Sequence, residues 1–177
     1  LTEVGSTNTY LKENCDLLKQ HGLVVLAEMQ TSGRGRAGRK FVSLPAKNIT
    51  FSVVLHPNLP LAEVQVFALI AGVVVARVLE TYVDQILLKW PNDVMVRGKK
   101  ICGILLETIT ITEQHFPVLI LGIGLNTKGF LIDYPKELQT VITTLEAEIL
   151  RSSNAISESE AASYLENETV FQQLLKQ

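Results

Sequence analysis

At 177 residues, 47% of them hydrophobic and with a mean hydropathy of +0.24, the chain can bury one substantial core, and its composition excludes a disordered polymer. Sixteen Lys and Arg against eighteen Asp and Glu leave a net charge of −2, which excludes the basic excess of a broad nucleic-acid-binding surface. Two cysteines (Cys15, Cys102) and three scattered histidines form neither a disulfide framework nor a zinc motif. The longest apolar run, Val66 to Ala76, is too short to cross a bilayer. A reduced, cytoplasmic protein with no membrane and no nucleic-acid contact is therefore expected, folded as a single domain over residues 1–177.

In chain order, GSTNTYLKENCDLLKQHG predicts a helix, with Ser6 or Thr7 as N-cap, Leu11, Cys15 and Leu18 at helical spacing, and Gly22 as C-cap. LVVLAE (23–28) is a continuous valine-rich run and predicts a buried strand. The glycine- and arginine-rich stretch TSGRGRAGRK (31–40) follows as a loop, because three glycines in six positions suit neither a helix nor a strand interior. NITFSVVLH (48–56) predicts a second strand. The stretch 61–82, apolar all round, predicts a long helix packed under a sheet. ILLKW (86–90) and DVMV (93–96) predict strands interrupted by Pro91, with Asn92 and Asp93 pushed out of the sheet by the break. Arg97-Gly98 marks a hairpin turn before KICGILLETITI (100–111), and PVLILGIGLN (117–126) is a further buried strand. Segment 127–139 is irregular. The tail predicts a last helix opened by a capping box of Ser157 and Glu160. Strands outnumber helices and hairpins are frequent, so the fold class is α+β, one mixed sheet flanked by helices.

Four stretches carry polar groups suited to chemistry. Arg34, Arg36 and Arg39, separated by Gly33, Gly35 and Gly38, would repel one another unless an anion joins them. Guanidinium forks match carboxylate and phosphate oxygens, and glycines let backbone N–H groups approach an anion. The spacing is neither a Walker A loop nor a dinucleotide fingerprint. Lys89, Asn92, Asp93 and Lys100 stand among apolar strand residues; Gly103 permits close approach to the backbone, and Asp93 is a candidate Mg²⁺ ligand beside nucleotide phosphates. Gly122, Gly124 and Asn126 end a strand, where Asn126 either caps the strand or offers its amide to an adenine edge. Ser6, Thr7 and Asn8 either cap a helix or hold a polar ligand at its N-terminus.

In the order GSTN, AEMQTSGRGRAGR, KWPNDVMVRGKKICGI, GIGLN, these stretches resemble the catalytic domain of biotin protein ligases over roughly residues 1–147. The resemblance implies a mixed sheet with helices related to class II aminoacyl-tRNA synthetases. It implies two steps: biotin and Mg-ATP give biotinyl-5′-adenylate and pyrophosphate, then a lysine of a biotin carboxyl carrier protein attacks the mixed anhydride and AMP leaves. ATP and Mg²⁺ are thus co-substrate and activator, biotin is substrate, and no prosthetic group is held tightly. By the same resemblance, Lys100, Arg36 and Asp93 carry catalysis. Ser6, Thr7, Asn8, Gln30, Gly33, Arg34, Gly35, Arg36, Lys100 and Gly103 surround biotin. Arg34, Arg36, Arg39, Lys89, Asn92, Asp93 and Asn126 serve ATP, with Asp93 as the metal ligand.

The sequence departs from the pattern at Phe41, where the family often has Trp, and at Leu44-Pro45, where it often has Ser-Pro. Many members carry an N-terminal DNA-binding helix-turn-helix and a small C-terminal β-domain; neither is expected within residues 1–177. Assembly as a homodimer stays open. The alternatives are a lipoate–protein ligase of the same fold, from which the expected consecutive glycines after paired arginines are missing, and a biotin-binding sensor with little catalysis.

Overall fold

The computed structural model describes residues 1–111, 115–152 and 165–176. Among the described residues eight strands are present: β1 (Glu3–Val4), β2 (Val24–Ala27), β3 (Met29–Gln30), β4 (Asn48–Leu55), β5 (Ile86–Lys89), β6 (Asp93–Val96), β7 (Lys99–Ile109) and β8 (Val118–Asn126). The helices are α1 (Thr7–Glu13), α2 (Val66–Leu79), α3 (Leu145–Ser152) and α4 (Asn167–Leu175), with short 3₁₀ turns at Cys15–Lys19, Arg36–Gly38 and Leu131–Asp133. Six strands form one sheet in the order β2-β4-β8-β7-β6-β5, antiparallel throughout. Among the described residues, parallel pairing is confined to the two-stranded β1–β3 sheet and a single bridge between Lys100 and Ile142.

The two faces of the sheet differ because side chains alternate along each strand. Ile49 and Phe51 of β4, Ile104 of β7, and Leu121, Ile123 and Leu125 of β8 join the main core with α2 and α4. The alternate positions face the other way. At one end of that second face Val54, Val118 and Ile120 pack against Leu11 and Leu18 beneath α1. At the other end the side chains shrink: Thr50 pairs across to Gly124, which pairs to Gly103, and Ser52 pairs across to Gly122. The loss of side-chain volume in these rows leaves space above the sheet.

Several elements differ from the sequence expectation. The first helix stops at Glu13 and a 3₁₀ turn continues to Lys19; Gly22 (φ +79°) turns the chain into β2 instead of capping one long helix. β2 and β5 are the edges of the sheet, and β2, expected to be buried, buries only Val25 and Ala27. The long apolar helix is shorter than residues 61–82 and covered on one side only. Ala68, Ala71, Val75 and Leu79 are buried, while Val66, Leu69, Ile70 and Val73 face outward. Pro91 sits in the three-residue loop of the β5–β6 hairpin, closed by the Lys89–Asp93 pair. Asn92 and Asp93 are not expelled: the Asn92 carbonyl accepts from Ile104 N–H at 2.9 Å and Asp93 pairs with Gly103. A proline in the loop costs no ladder bond, so the sheet passes it undisturbed. Arg97 (φ +48°) and Gly98 (φ +78°) form the β6–β7 turn, both in the left-handed region that a two-residue type I′ hairpin requires. Helix α3 was not anticipated. Ser157 and Glu160 lie outside the described residues.

Candidate active site

The space above the glycine rows is a cavity of about 500 Å³. Its floor includes Gly103, Gly122 and Gly124. A Cβ on Gly124 would stand 2.6 Å from the Phe41 ring, and one on Gly122 would come within 2.4 Å of the Asn8 amide. Glycine is therefore required at both positions so that Phe41 and Asn8 can lie down on the sheet. The charge on the walls is one-sided. Arg34, Arg36, Arg39, Lys40, Lys89 and Lys100 line the cavity, and Asp93 is the sole acidic residue among the lining residues. In a protein of net charge −2, this concentration of cations marks a place for anions.

The arginine loop is a small hairpin. Phe41 N–H donates to the Gly33 carbonyl at 2.9 Å, Arg34 and Lys40 form an antiparallel bridge, and Gly35 N–H donates to the Arg39 carbonyl at 2.7 Å. Residues 36–38 make the tip, where Ala37 (φ +53°) and Gly38 (φ +73°) reverse the chain. Gly33 does not line the cavity. Its space is closed by the Phe41 carbonyl, 2.4 Å from where a Cβ would sit, so it serves the hairpin stem.

Lys100 enters from β7 under tight backbone control. Its N–H donates to the Val141 carbonyl and its carbonyl accepts from Thr143 N–H, each at 2.9 Å. A bulge between Val94 and Met95 sets the local register of β6 against β7. The side chain then lies over Gly103, whose missing Cβ would sit 2.9 Å from Nζ, and ends 2.6 Å from Asp93 Oδ1. The ion pair is the one partner of the buried Asp93 Oδ1 among the described residues. Among the described residues no three His, Cys, Asp or Glu side chains converge on a metal position, so a Mg²⁺ here would take one protein oxygen from Asp93.

Opposite, Ser6, Thr7, Asn8 and Gln30 line one wall. Thr7 N–H donates to Gln30 Oε1 at 2.8 Å, and Ser52 Oγ lies within bonding distance of both Thr7 Oγ1 (2.6 Å) and Asn8 Oδ1. Ser6 occupies the N-cap position of α1 without capping it. Asn8 Nδ2 reaches Glu107 Oε2 at 2.9 Å. At the far end Asn126 is buried and its amide is committed: Oδ1 accepts from Asn48 Nδ2 at 2.9 Å and Nδ2 donates to the Thr143 carbonyl at 3.1 Å. One bond of each kind ties the amide to Asn48 and to the 141–143 segment that fixes Lys100, so Asn126 serves the wall of the cavity. Asn92 donates to the Ile104 carbonyl at 2.7 Å and lines the cavity beside Lys89.

The site thus gathers nearly all the sequence candidates, with Gly33 behind the wall and Asn126 engaged. Sequence reasoning missed Glu107, Asn48, Thr143 and the 138–142 wall. Each is polar or apolar in an ordinary strand or loop context, and only long-range pairing reveals its role.

Residues 2–126 match the model of the Biotin/lipoate A/B protein ligase family, and the chain belongs to that family. Its relatives there include biotin ligases. The Bacillus subtilis bifunctional ligase/repressor BirA is 37% identical over 125 residues, covering 70% of this chain and 38% of that protein. The Mycobacterium tuberculosis biotin–[acetyl-CoA-carboxylase] ligase is 34% identical over 154 residues, covering 82% and 53%. The chain spans about half the length of the curated relatives it matches. Among solved structures, Aquifex aeolicus biotin protein ligase in complex with biotin and ATP superposes with a TM-score of 0.75 at 32% identity, over 99% of this chain and 66% of that one. The Leishmania major enzyme in complex with biotinyl-5-AMP gives 0.69 at 26%, over 98% and 71%. The fold is the class II aminoacyl-tRNA synthetase-like arrangement that these neighbours share, with its main sheet antiparallel.

Proposed function

We propose that this chain carries the biotin-activating centre of an ATP-dependent biotin protein ligase. The observation that carries the reading is the cavity itself: six cationic side chains and one carboxylate above a glycine floor. Biotin carboxylate and ATP are both anions, and attack of one on the α-phosphorus of the other requires their repulsion to be offset. A carboxylate oxygen forms the bond to the α-phosphorus, the bond to the bridging oxygen breaks, and pyrophosphate leaves with the electron pair. In a second step a carrier lysine amine attacks the acyl carbon of the anhydride, loses a proton, and AMP departs.

In this scheme Lys100 steadies the α-phosphate as charge builds there, and Asp93 orients Lys100 while offering an oxygen to Mg²⁺. The metal supplies charge neutralisation on the phosphates. Arg36 and Arg39, at the hairpin tip and its return, face the carboxylate and the pyrophosphate side. Positioned charges of this kind supply roughly 10²–10³-fold each in a water-poor site. Ser6, Thr7, Asn8 and Gln30 surround the ureido ring, and Phe41 packs its apolar rings. With the Asn126 amide engaged, the nucleobase falls to the wall of Leu138, Thr140, Val141 and Ile142. The hairpin also covers a water-sensitive anhydride.

Thermal shift with biotin, lipoate and ATP tests this. Stabilisation by biotin, enhanced by ATP, is expected; stabilisation by lipoate alone would move the substrate to the other branch of the family.

A further inference from the structure

The three arginines of the hairpin are not equivalent. Arg34 lies in the stem, and its guanidinium is tied away from the tip: Nη2 donates to Glu107 Oε1 at 3.0 Å and Nη1 donates to Thr9 Oγ1 at 3.2 Å. Arg36 and Arg39 have no carboxylate oxygen within 4.0 Å among the described residues; Arg39 Nε donates only to the Arg36 carbonyl. The same Glu107 carboxylate accepts from Lys12 Nζ at 2.6 Å and from Asn8 Nδ2 at 2.9 Å. Its side chain is 16% exposed, so the bonds form in partial shelter from water. Burial alone would raise the Glu107 carboxyl, but hydrogen bonds from Lys12 and Asn8 and the charges of Lys12 and Arg34 outweigh it and hold it below its usual value.

We propose that Glu107 is a positioning residue that acts through Arg34, clasping the stem of the arginine hairpin to β7 and α1 so that Arg36 and Arg39 are held over the glycine floor. The geometry gives the clasp its reach. Gly103, Leu105 and Glu107 alternate onto one face of β7, and Lys100 stands on the same strand. One strand therefore sets both cationic groups: Lys100 directly, and the hairpin through a charge-assisted bond. Arg34 is then a structural clasp, and the charge left for a ligand is that of the tip arginines and the lysines. The functional half of this inference rests on the biotin and ATP reading; the clasp itself does not.

Amide hydrogen exchange on the ligand-free protein separates the two. Gly35 and Phe41 report the stem through their bonds to Arg39 and Gly33, and Val53 of β4 reports the sheet. Glu107→Gln and Arg34→Gln are each expected to speed exchange at Gly35 and Phe41 about tenfold while Val53 is unmoved, the scale of one lost charge-assisted bond. The double variant should be no faster than either single one, because both remove one clasp. In steady state Glu107→Gln should raise the KM for biotin about tenfold and the KM for ATP with it, because the loosened tip carries both Arg36 and Arg39. Unchanged stem exchange in Glu107→Gln, or multiplicative effects in the double variant, would overturn the clasp. Faster exchange with an unchanged biotin KM would overturn the positioning role. A wild-type protein that binds no biotin would overturn the reading of function, with the clasp still decided by exchange. Should Glu107→Gln fail to fold, Arg34→Gln, which leaves Lys12 and Asn8 on the carboxylate, reads the same bond.

Discussion

Lys100 Nζ stands 2.6 Å from Asp93 Oδ1, with the lysine stem lying across the bare Cα of Gly103. Three residues from two neighbouring strands thus set one ammonium at the edge of the cavity. Asp93 lies on β6, in register with Gly103 of β7, so the pair is a product of strand pairing and not of chain proximity.

Asp93→Asn keeps the size of the side chain and removes its charge. Lys100 then loses its counter-ion and any Mg²⁺ loses its protein oxygen. Adenylate formation should fall by roughly 10²-fold, with little change in melting temperature. Single-turnover kinetics against a thermal melt separates these outcomes; equal losses in both would make the pair merely structural.

Gly103→Ala places a methyl group where Lys100 Nζ now passes. The end of a lysine can swing aside, so stability should change by no more than about 1 kcal/mol. The displaced ammonium should cost about tenfold or more in the adenylation rate, since an ångström of misplacement matters at a reacting centre. Retained rate with the alanine would mean that Lys100 has no fixed working position.

Arg36→Gly removes a free cation from the hairpin tip. Adenylate should escape roughly 10–100-fold faster, read as biotin label on bystander lysines or as release of the intermediate by filtration. Unchanged release would rule out the hairpin as a cover.

Burial works to raise the Glu107 carboxyl, but the bonds from Lys12 and Asn8 and the charges of Lys12 and Arg34 hold it below the usual carboxylate range in the folded protein. A group with a depressed folded pKa contributes stability that is present above the unfolded value and lost as pH falls through the folded one. The stability difference between wild type and Glu107→Gln should therefore be full near about pH 7 and shrink on acidification below about pH 4.5. Urea unfolding at a series of pH values measures it, and a difference that grew toward acid would reverse the sign.

Much of the fold was legible because its strands are apolar runs bounded by glycine, proline and polar turns. The arginine loop, KWPND and GIGLN could be placed because their residue types are costly in ordinary strands. What stayed hidden depends on pairing between distant segments. Nothing local in LVVLAE distinguishes an edge strand from a central one, and nothing in LEAEILRS says that Glu148, fully buried, accepts from Thr143 Oγ1 at 2.6 Å beside Arg97. Asn126 looked available to a nucleobase because its partners Asn48 and Thr143 come from elsewhere in the chain. Glu107 was one acid in an apolar strand until α1 and the hairpin folded onto it.

The two thiols should differ sharply. Cys15 is exposed, whereas Cys102 is buried and its pKa is pushed up to about 12 by that burial. A thiol reagent at neutral pH should label Cys15 alone in the folded protein and both after unfolding, counted by mass spectrometry. Rapid native labelling of Cys102 would show that the strand beside the cavity opens.

Biotin-dependent exchange of labelled pyrophosphate into ATP is the most direct measurement of the proposed chemistry, made on the wild type and on Lys100→Ala. Exchange that requires biotin and disappears in the variant is the predicted result. Exchange that proceeds without biotin, or persists undiminished without the Lys100 ammonium, would contradict it.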